Sequence, residues 1–139
     1  MPITMVYRVV KNVHVVVHTT EPPSDEEWRL FFDHLHRNLP TIEAIVVASA
    51  GGGPDGKQRD YAERFWMDKP KKPHIAVLTP SPFIRAVTGA LGWLIGDRIR
   101  TFAELDFKGA FVYLNLDVEQ GAAVQAALEE LGQELRKLD

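Results

Sequence analysis

Five short runs of apolar and β-branched residues predict the strands of a sheet. Only Lys11-Asn12 separates the first two runs, so we expect a β-hairpin there. The third and fourth runs contain uninterrupted apolar stretches, which are typical of strands inside a sheet. The predicted strands are Met5–Val10, Val13–Thr19, Ile42–Ala50, Ile75–Leu78 and Arg98–Phe102.

Successive side chains of a strand face opposite sides, which divides the second run into two sets. The first set is Val13, Val15 and Val17, and the second is His14, Val16 and His18.

Apolar residues spaced by three and four, preceded by residues that can cap a helix, predict four helices. The first begins at Ser24-Asp25-Glu26-Glu27, a Ser-x-x-Glu capping box, and carries an aromatic stripe toward the sheet. Another begins at Ser81-Pro82, where the missing N–H of proline costs nothing. The four capping residues are Ser24, Asp55, Ser81 and Asp117.

The segment 106–114 fits two structures. Phe107, Ala110, Phe111 and Leu114 have helical spacing, whereas Ala110–Leu114 taken alone fits a strand. The longer window favours a helix.

This order of elements predicts a single-domain α/β fold over residues 1–139. We expect a mixed sheet of four or five strands covered mainly on one face by helices, with residues 115–139 as a C-terminal helix. Two β-to-α junctions, at Gly51-Gly52-Gly53 and at Ser81-Pro82, should lie side by side at one rim of the sheet.

Composition and charge exclude several classes of protein. The formal net charge of −3 gives no general electrostatic reason to bind nucleic acid or an acidic membrane surface. The chain has no cysteine for a disulfide. It begins without a signal-peptide pattern, and no window reaches the ~20 apolar residues of a transmembrane helix. We therefore expect a cytoplasmic protein with no transmembrane segment.

Five histidines raise the question of a metal site, and their spacing argues against one. His14 and His18 share a strand face but lie ~13 Å apart at ~3.3 Å per residue, too far for one zinc ion. His34 and His36 point to different sides of a helix, and His74 stands alone. No nucleophile–base–acid set is visible. The sequence predicts no metal, no cofactor and no catalytic residue.

The segment from Gly51 to Gln58 has the glycine and lysine spacing of a phosphate-binding P-loop. Gln58 replaces the hydroxyl residue that would meet magnesium, and Pro54 removes one backbone donor. A loop followed by a capped helix is the simpler interpretation; weak anion or nucleotide binding is the alternative. The partner- or anion-binding candidates are Gly52, Gly53, Asp55, Gly56, Lys57 and Arg59.

The third helix is too apolar toward its end for a single buried stripe. Surplus apolar surface marks a ligand mouth, a dimer patch or a partner site. The other interpretation is that the following loop buries it. The candidates are Phe83, Val87, Leu91, Trp93, Leu94 and Ile95.

The stretch from Ile75 to Val87, followed by Gly89-Ala-Leu-Gly and Ile99-Arg-Thr-Phe102, resembles parts of the STAS family. These are the sulfate-transporter and anti-sigma-factor-antagonist domains, and the chain is most similar to divergent members grouped with lipid-binding CRAL-TRIO-like proteins. The resemblance covers roughly Tyr7 to Leu114. It implies a regulatory, non-enzymatic domain and, in the lipid-associated relatives, a hydrophobic opening near the third helix.

In partner-switching STAS proteins, a serine or threonine at the start of the second helix is phosphorylated. The matching position here is Asp55, followed by Gly56. Because aspartate cannot accept phosphate from a serine kinase, the resemblance implies a member without this switch. Asp55 could cap the helix or mimic the phosphorylated state, and we prefer the interpretation as a cap.

These observations lead to three hypotheses. The first is a STAS-like module that binds a protein partner through Gly52 to Arg59 and Phe83 to Ile95, with a second copy of the chain as one such partner. The second is a carrier or sensor of a small apolar ligand. The third is a weak anion or nucleotide binder at the glycine loop.

Overall fold

The computed structural model describes the backbone of residues 3–95 and 98–138, and the side chains of residues 3–89 and 98–138. The strands are β1 Met5–Val10, β2 Val13–His18, β3 Ala44–Ser49, β4 His74–Leu78 and β5 Ile99–Phe102. The helices are α1 Asp25–Asn38, α2 Gly56–Met67, α3 Pro82–Ile95, α4 Phe107–Tyr113 and α5 Val118–Lys137. A 3-10 turn at Leu39–Thr41 follows α1.

The five strands form one mixed sheet in the order β1-β2-β3-β4-β5. β1 and β2 are antiparallel, and β2 to β5 are parallel. Lys11 and Asn12 both have positive φ, 48° and 65°, as the tight hairpin turn between β1 and β2 requires. The predicted hairpin and mixed sheet are therefore confirmed.

The chain moves one strand in the same direction at each step from β2 to β5. Since parallel crossovers are right-handed, this places α1, α2 and α3 on one face of the sheet. Phe31, Trp66 and Ile84, one from each helix, belong to a common core with Val16 of β2.

The opposite face is covered by α4 and α5, so helices lie on both faces rather than mainly on one. Leu128 and Leu131 of α5 form a second core with Val13 and Val15 of β2. The alternation predicted along β2 is confirmed, since the two sets of side chains enter different cores.

The helix starts follow the capping predictions. The Ser24 hydroxyl accepts from the Glu27 N–H at 3.1 Å, and Ser81 accepts from the Ile84 N–H at 3.2 Å. Asp117 forms a capping box with Gln120. Residues 107–113 are helical, which decides the ambiguous segment. β3 begins at Ala44 rather than Ile42, because the Ile42 N–H donates to the Leu39 carbonyl and closes the 3-10 turn.

Candidate functional site

The carboxyl ends of β2, β3 and β4 lie at one rim of the sheet. His18 is the register partner of Ser49, and Ala48 is the partner of Leu78. The triple-glycine and Ser-Pro junctions therefore emerge side by side, as the sequence predicted. A Cβ atom added at Gly53 would collide with Ile84 of α3, so the two junctions are in direct contact. In open α/β sheets this edge is where ligands bind.

The glycine loop is closed against the protein. The Gly52 N–H donates to the Thr19 carbonyl at 2.8 Å, and the Gly51 N–H donates to the Ser49 hydroxyl at 3.2 Å. A Cβ atom at Gly52 would collide with the carbonyl of Glu21. Two donors that a phosphate cradle would use are thus already bonded, and Pro54 supplies none. The loop lacks the open donor geometry of a P-loop.

The start of α2 is organised by Asp55 and Gln58. The Asp55 carboxylate accepts from the Gln58 N–H at 2.8 Å, and the Gln58 side chain accepts from the Asp55 N–H at 3.0 Å. Gln58 is also buried, and its amide donates to the Pro23 carbonyl at 3.2 Å and to Asp25 at 2.7 Å. The cap predicted at Asp55 is confirmed. The tie from Gln58 to the start of α1 carries no sequence signal, because it depends on how the helices pack.

A cavity of about 120 Å³ lies between the sheet and helices α1, α2 and α3. Its lining is almost entirely apolar. The sheet contributes side chains that point to this face, and each helix contributes residues from its inner side. Representative lining residues are Val16, Val47, Val77, Phe31, Ala62 and Val87. This cavity extends to the carboxyl-end rim, where Gly52, Gly53 and Ser49 line it.

Among the described residues, two buried polar atoms in the lining side chains have no hydrogen-bond partner: His18 Nδ1 and Trp28 Nε1. Their rings are 5.4 Å apart. Burial lowers the pKa of His18 to about 4, and the nearby Glu27 carboxylate only partly opposes this. His18 is therefore neutral at physiological pH and offers one donor and one acceptor nitrogen. An unpaired buried polar group costs about 1–3 kcal/mol, so this pair calls for a ligand or water partner.

A second cleft of about 280 Å³, lined by charged and aromatic side chains, lies between the start of α1 and one side of α2. Arg29, Lys57 and Arg64 line this cleft together with Asp25 and Tyr61. Trp28 and Gln58 line both the cleft and the apolar cavity. Sequence reasoning singled out Lys57 but missed Arg29 and Arg64, since only the α1–α2 packing brings the three cations together.

A pair of histidines also forms on the cavity side of the sheet. His14 Nε2 and His34 Nδ1 are 3.0 Å apart, with Tyr7 against both rings. Burial, and then the neighbouring His34, lower the pKa of His14 to about 4. The sequence relates His14 only to His18 on the same strand, because it does not show where α1 packs on β2. Within the described residues, no three His, Cys, Asp or Glu side chains are placed to hold a metal ion.

The other predicted site residues are divided among different environments. Asp55, Gly56 and Lys57 are exposed at the start of α2, and Arg59 is half-buried. Phe83 is 54% exposed, whereas Val87 is buried and lines the cavity. The remaining four apolar candidates have side chains outside the described residues. These four are Leu91, Trp93, Leu94 and Ile95.

Among the described residues, no helix combines the length and apolarity that crossing a membrane requires. The chain matches no known family model, no curated protein and no solved structure. The STAS resemblance is therefore a prediction that these comparisons leave without support.

Proposed function

We propose that this protein binds a small, mostly apolar molecule in the cavity beneath α1, α2 and α3. The observation that carries the proposal is the apolar cavity of about 120 Å³ whose lining residues include two buried, unpaired polar atoms, His18 Nδ1 and Trp28 Nε1. The ligand-carrier hypothesis from the sequence thus has more structural support than partner binding.

The size and chemistry of the cavity define the ligand class. An apolar cavity of about 150 Å³ holds benzene, so this smaller one suits the end of an alkyl chain rather than a complete ring. A hydrogen-bonding group on such a ligand would offset the cost of leaving His18 and Trp28 unpaired. An apolar body with a few placed polar contacts is the usual composition of a small-molecule site.

The test is a cavity-filling substitution. Ala62 is buried on α2 and lines the cavity, so Ala62→Leu would occupy part of the ligand space. We expect Ala62→Leu to weaken binding of 1-octanol about tenfold or more, measured by calorimetric titration, with an unchanged or raised melting temperature. The matched control is Ala126→Leu, at an exposed position of α5.

Two results would contradict the proposal. One is that 1-octanol and similarly sized apolar probes do not bind the wild-type protein at millimolar concentration. The other is that they bind Ala62→Leu and wild type equally well while both variants remain folded.

The second candidate function is a STAS-like module that binds a protein partner. The observation that favours it is the exposed start of α2 at the same rim as Phe83, which is 54% exposed on α3. A partner with an apolar side chain beside acidic ones would suit Phe83 and Lys57. Cross-linking should then yield one partner lost in both Phe83→Ser and Lys57→Glu but retained in Lys108→Glu. A partner captured equally by all three variants would argue against this function.

A further inference from the structure

We propose that the ligand is an anionic amphiphile whose charged group binds in the basic cleft between α1 and α2 and whose apolar chain passes Trp28 into the cavity. The inference rests on the proposed function and adds the chemical class of the ligand.

The first argument is the charge of the cleft. Three cationic side chains, Arg29, Lys57 and Arg64, line a space of about 280 Å³ that contains one carboxylate, Asp25. An Asp25 oxygen already accepts from the Gln58 amide at 2.7 Å. Counted over these four lining side chains, the cleft is net positive, within a chain whose overall formal charge is −3.

The second argument is that the cations are not all neutralised by the protein. Arg29 pairs with Glu26 and Asp33 of its own helix, at 2.5 and 3.2 Å. Lys57 and Arg64 have no ion-pair partner among the described residues. They lie on one side of α2 at a separation of seven residues, with Tyr61 between them. Two cations on one side of α2 without a protein anion among the described residues suit an ionised carboxylate or phosphate ester, which forms stronger hydrogen bonds than a neutral group.

The third argument is that the cleft and the cavity are adjacent. Among the described residues, Trp28 and Gln58 are the ones that line both spaces. The Gln58 side chain is fixed by bonds to Pro23, Asp25 and Asp55. The buried Trp28 N–H has no acceptor among the residues that the structure describes. A ligand that extends from the cleft to the cavity would therefore pass along Trp28 and could accept from this N–H.

The experiment compares octanoate with 1-octanol, which have the same chain length and differ in charge at neutral pH. Calorimetric titrations use the full chain, the double variant Lys57→Gln/Arg64→Gln, and a control that loses the same charge on the opposite face, Lys108→Gln/Arg136→Gln. We expect wild type and control to bind octanoate about tenfold more tightly than 1-octanol. The cleft variant should bind both compounds within about twofold of each other and retain the 1-octanol affinity of wild type.

Each failure has its own signature. If 1-octanol and octanoate both fail to bind wild type, the proposed function itself is wrong. If 1-octanol binds and octanoate has no advantage, or if the advantage persists in Lys57→Gln/Arg64→Gln, the assignment of an anionic group to the cleft is wrong. Acetate tests whether the apolar chain contributes to binding, because it has the carboxylate without the chain. If acetate binds wild type as tightly as octanoate does, the ligand is not an amphiphile and the proposal is wrong. Thermal unfolding of each variant verifies that the comparison is made on folded protein.

Discussion

At the scale of single residues, the side chains that matter most are polar groups in apolar surroundings. His18 shows why. It is 6% exposed, its Nδ1 has no hydrogen-bond partner in the part of the chain that the structure describes, and burial lowers its pKa to about 4. The alternation along β2 placed His18 on the same face as Val16, so the sequence identified the face. It gave no sign that α1 would bury the ring beside Trp28, because that contact joins residues from two different elements.

His18 should make stability depend on pH in a defined direction. Below about pH 6.5 the unfolded chain protonates this histidine, whereas the folded protein resists protonation until about pH 4. The folded state therefore binds fewer protons in this window and loses stability as the pH falls through it. We expect the free energy of unfolding to fall between about pH 7 and about pH 5 in both proteins, and to fall by about 2 kcal/mol less in His18→Phe than in wild type. Urea unfolding at the two pH values measures this difference.

The control for this measurement is His36→Phe, at an exposed position on α1. This variant should retain the wild-type pH dependence. His14 has a similarly low pKa, so His18→Phe should reduce the pH dependence without abolishing it. Equal pH dependence in wild type and His18→Phe would mean that the His18 ring is not buried as described.

At the scale of elements, capping chemistry was readable from sequence, and contacts between elements were not. Ser24, Asp55, Ser81 and Asp117 cap the helices that were assigned to them. A cap involves residues three positions apart, so the local sequence is sufficient to define it. Gln58 has the same local role as Gln120, and both also bond to distant segments. Gln58 ties the start of α2 to the start of α1 in the interior, whereas the bonds from Gln120 to Lys11 and Glu43 are at the surface.

Gln58 and Gln120 offer a matched pair of substitutions. Both are at position N3 of a capping box, three residues after the N-cap aspartate. Gln58 is buried and Gln120 is not. We expect Gln58→Ala to lower the free energy of unfolding by about 1–2 kcal/mol more than Gln120→Ala, because it leaves buried partners unpaired. Urea unfolding of the two variants measures this difference. Equal losses would show that the buried bonds from Gln58 to Pro23 and Asp25 add nothing to stability.

At the scale of the whole molecule, the fold is a sheet with helices on both faces. The sequence indicated the mixed sheet, the single domain and the shared rim of the two β-to-α junctions. It did not indicate that α4 and α5 would return to the second face. Right-handed crossovers fix the side of α1, α2 and α3, whereas no such rule applies to helices that follow the last strand.

The role of α5 in the fold can be tested at one buried residue and one exposed residue of the same type. Leu131 is 2% exposed in the second core, and Leu138, just beyond the end of α5, is 53% exposed. We expect Leu131→Ala to lower the free energy of unfolding by about 2–5 kcal/mol and Leu138→Ala by less than ~0.5 kcal/mol. Denaturant unfolding checks both values. A small loss for Leu131→Ala would mean that α5 does not complete the core.

The sequence by itself determined the elements, their caps, the two faces of β2 and the α/β class. These properties follow from neighbours within a few positions along the chain, where periodicity and hydrogen-bonding capacity act directly. The tertiary structure alone decided the His14–His34 pair, the burial of Gln58, and the position of Trp28 in the linings of both the apolar cavity and the cleft between α1 and α2. Those features bring together residues from separate elements, and their distances are set by the packing of α1, α2 and α3 on the sheet.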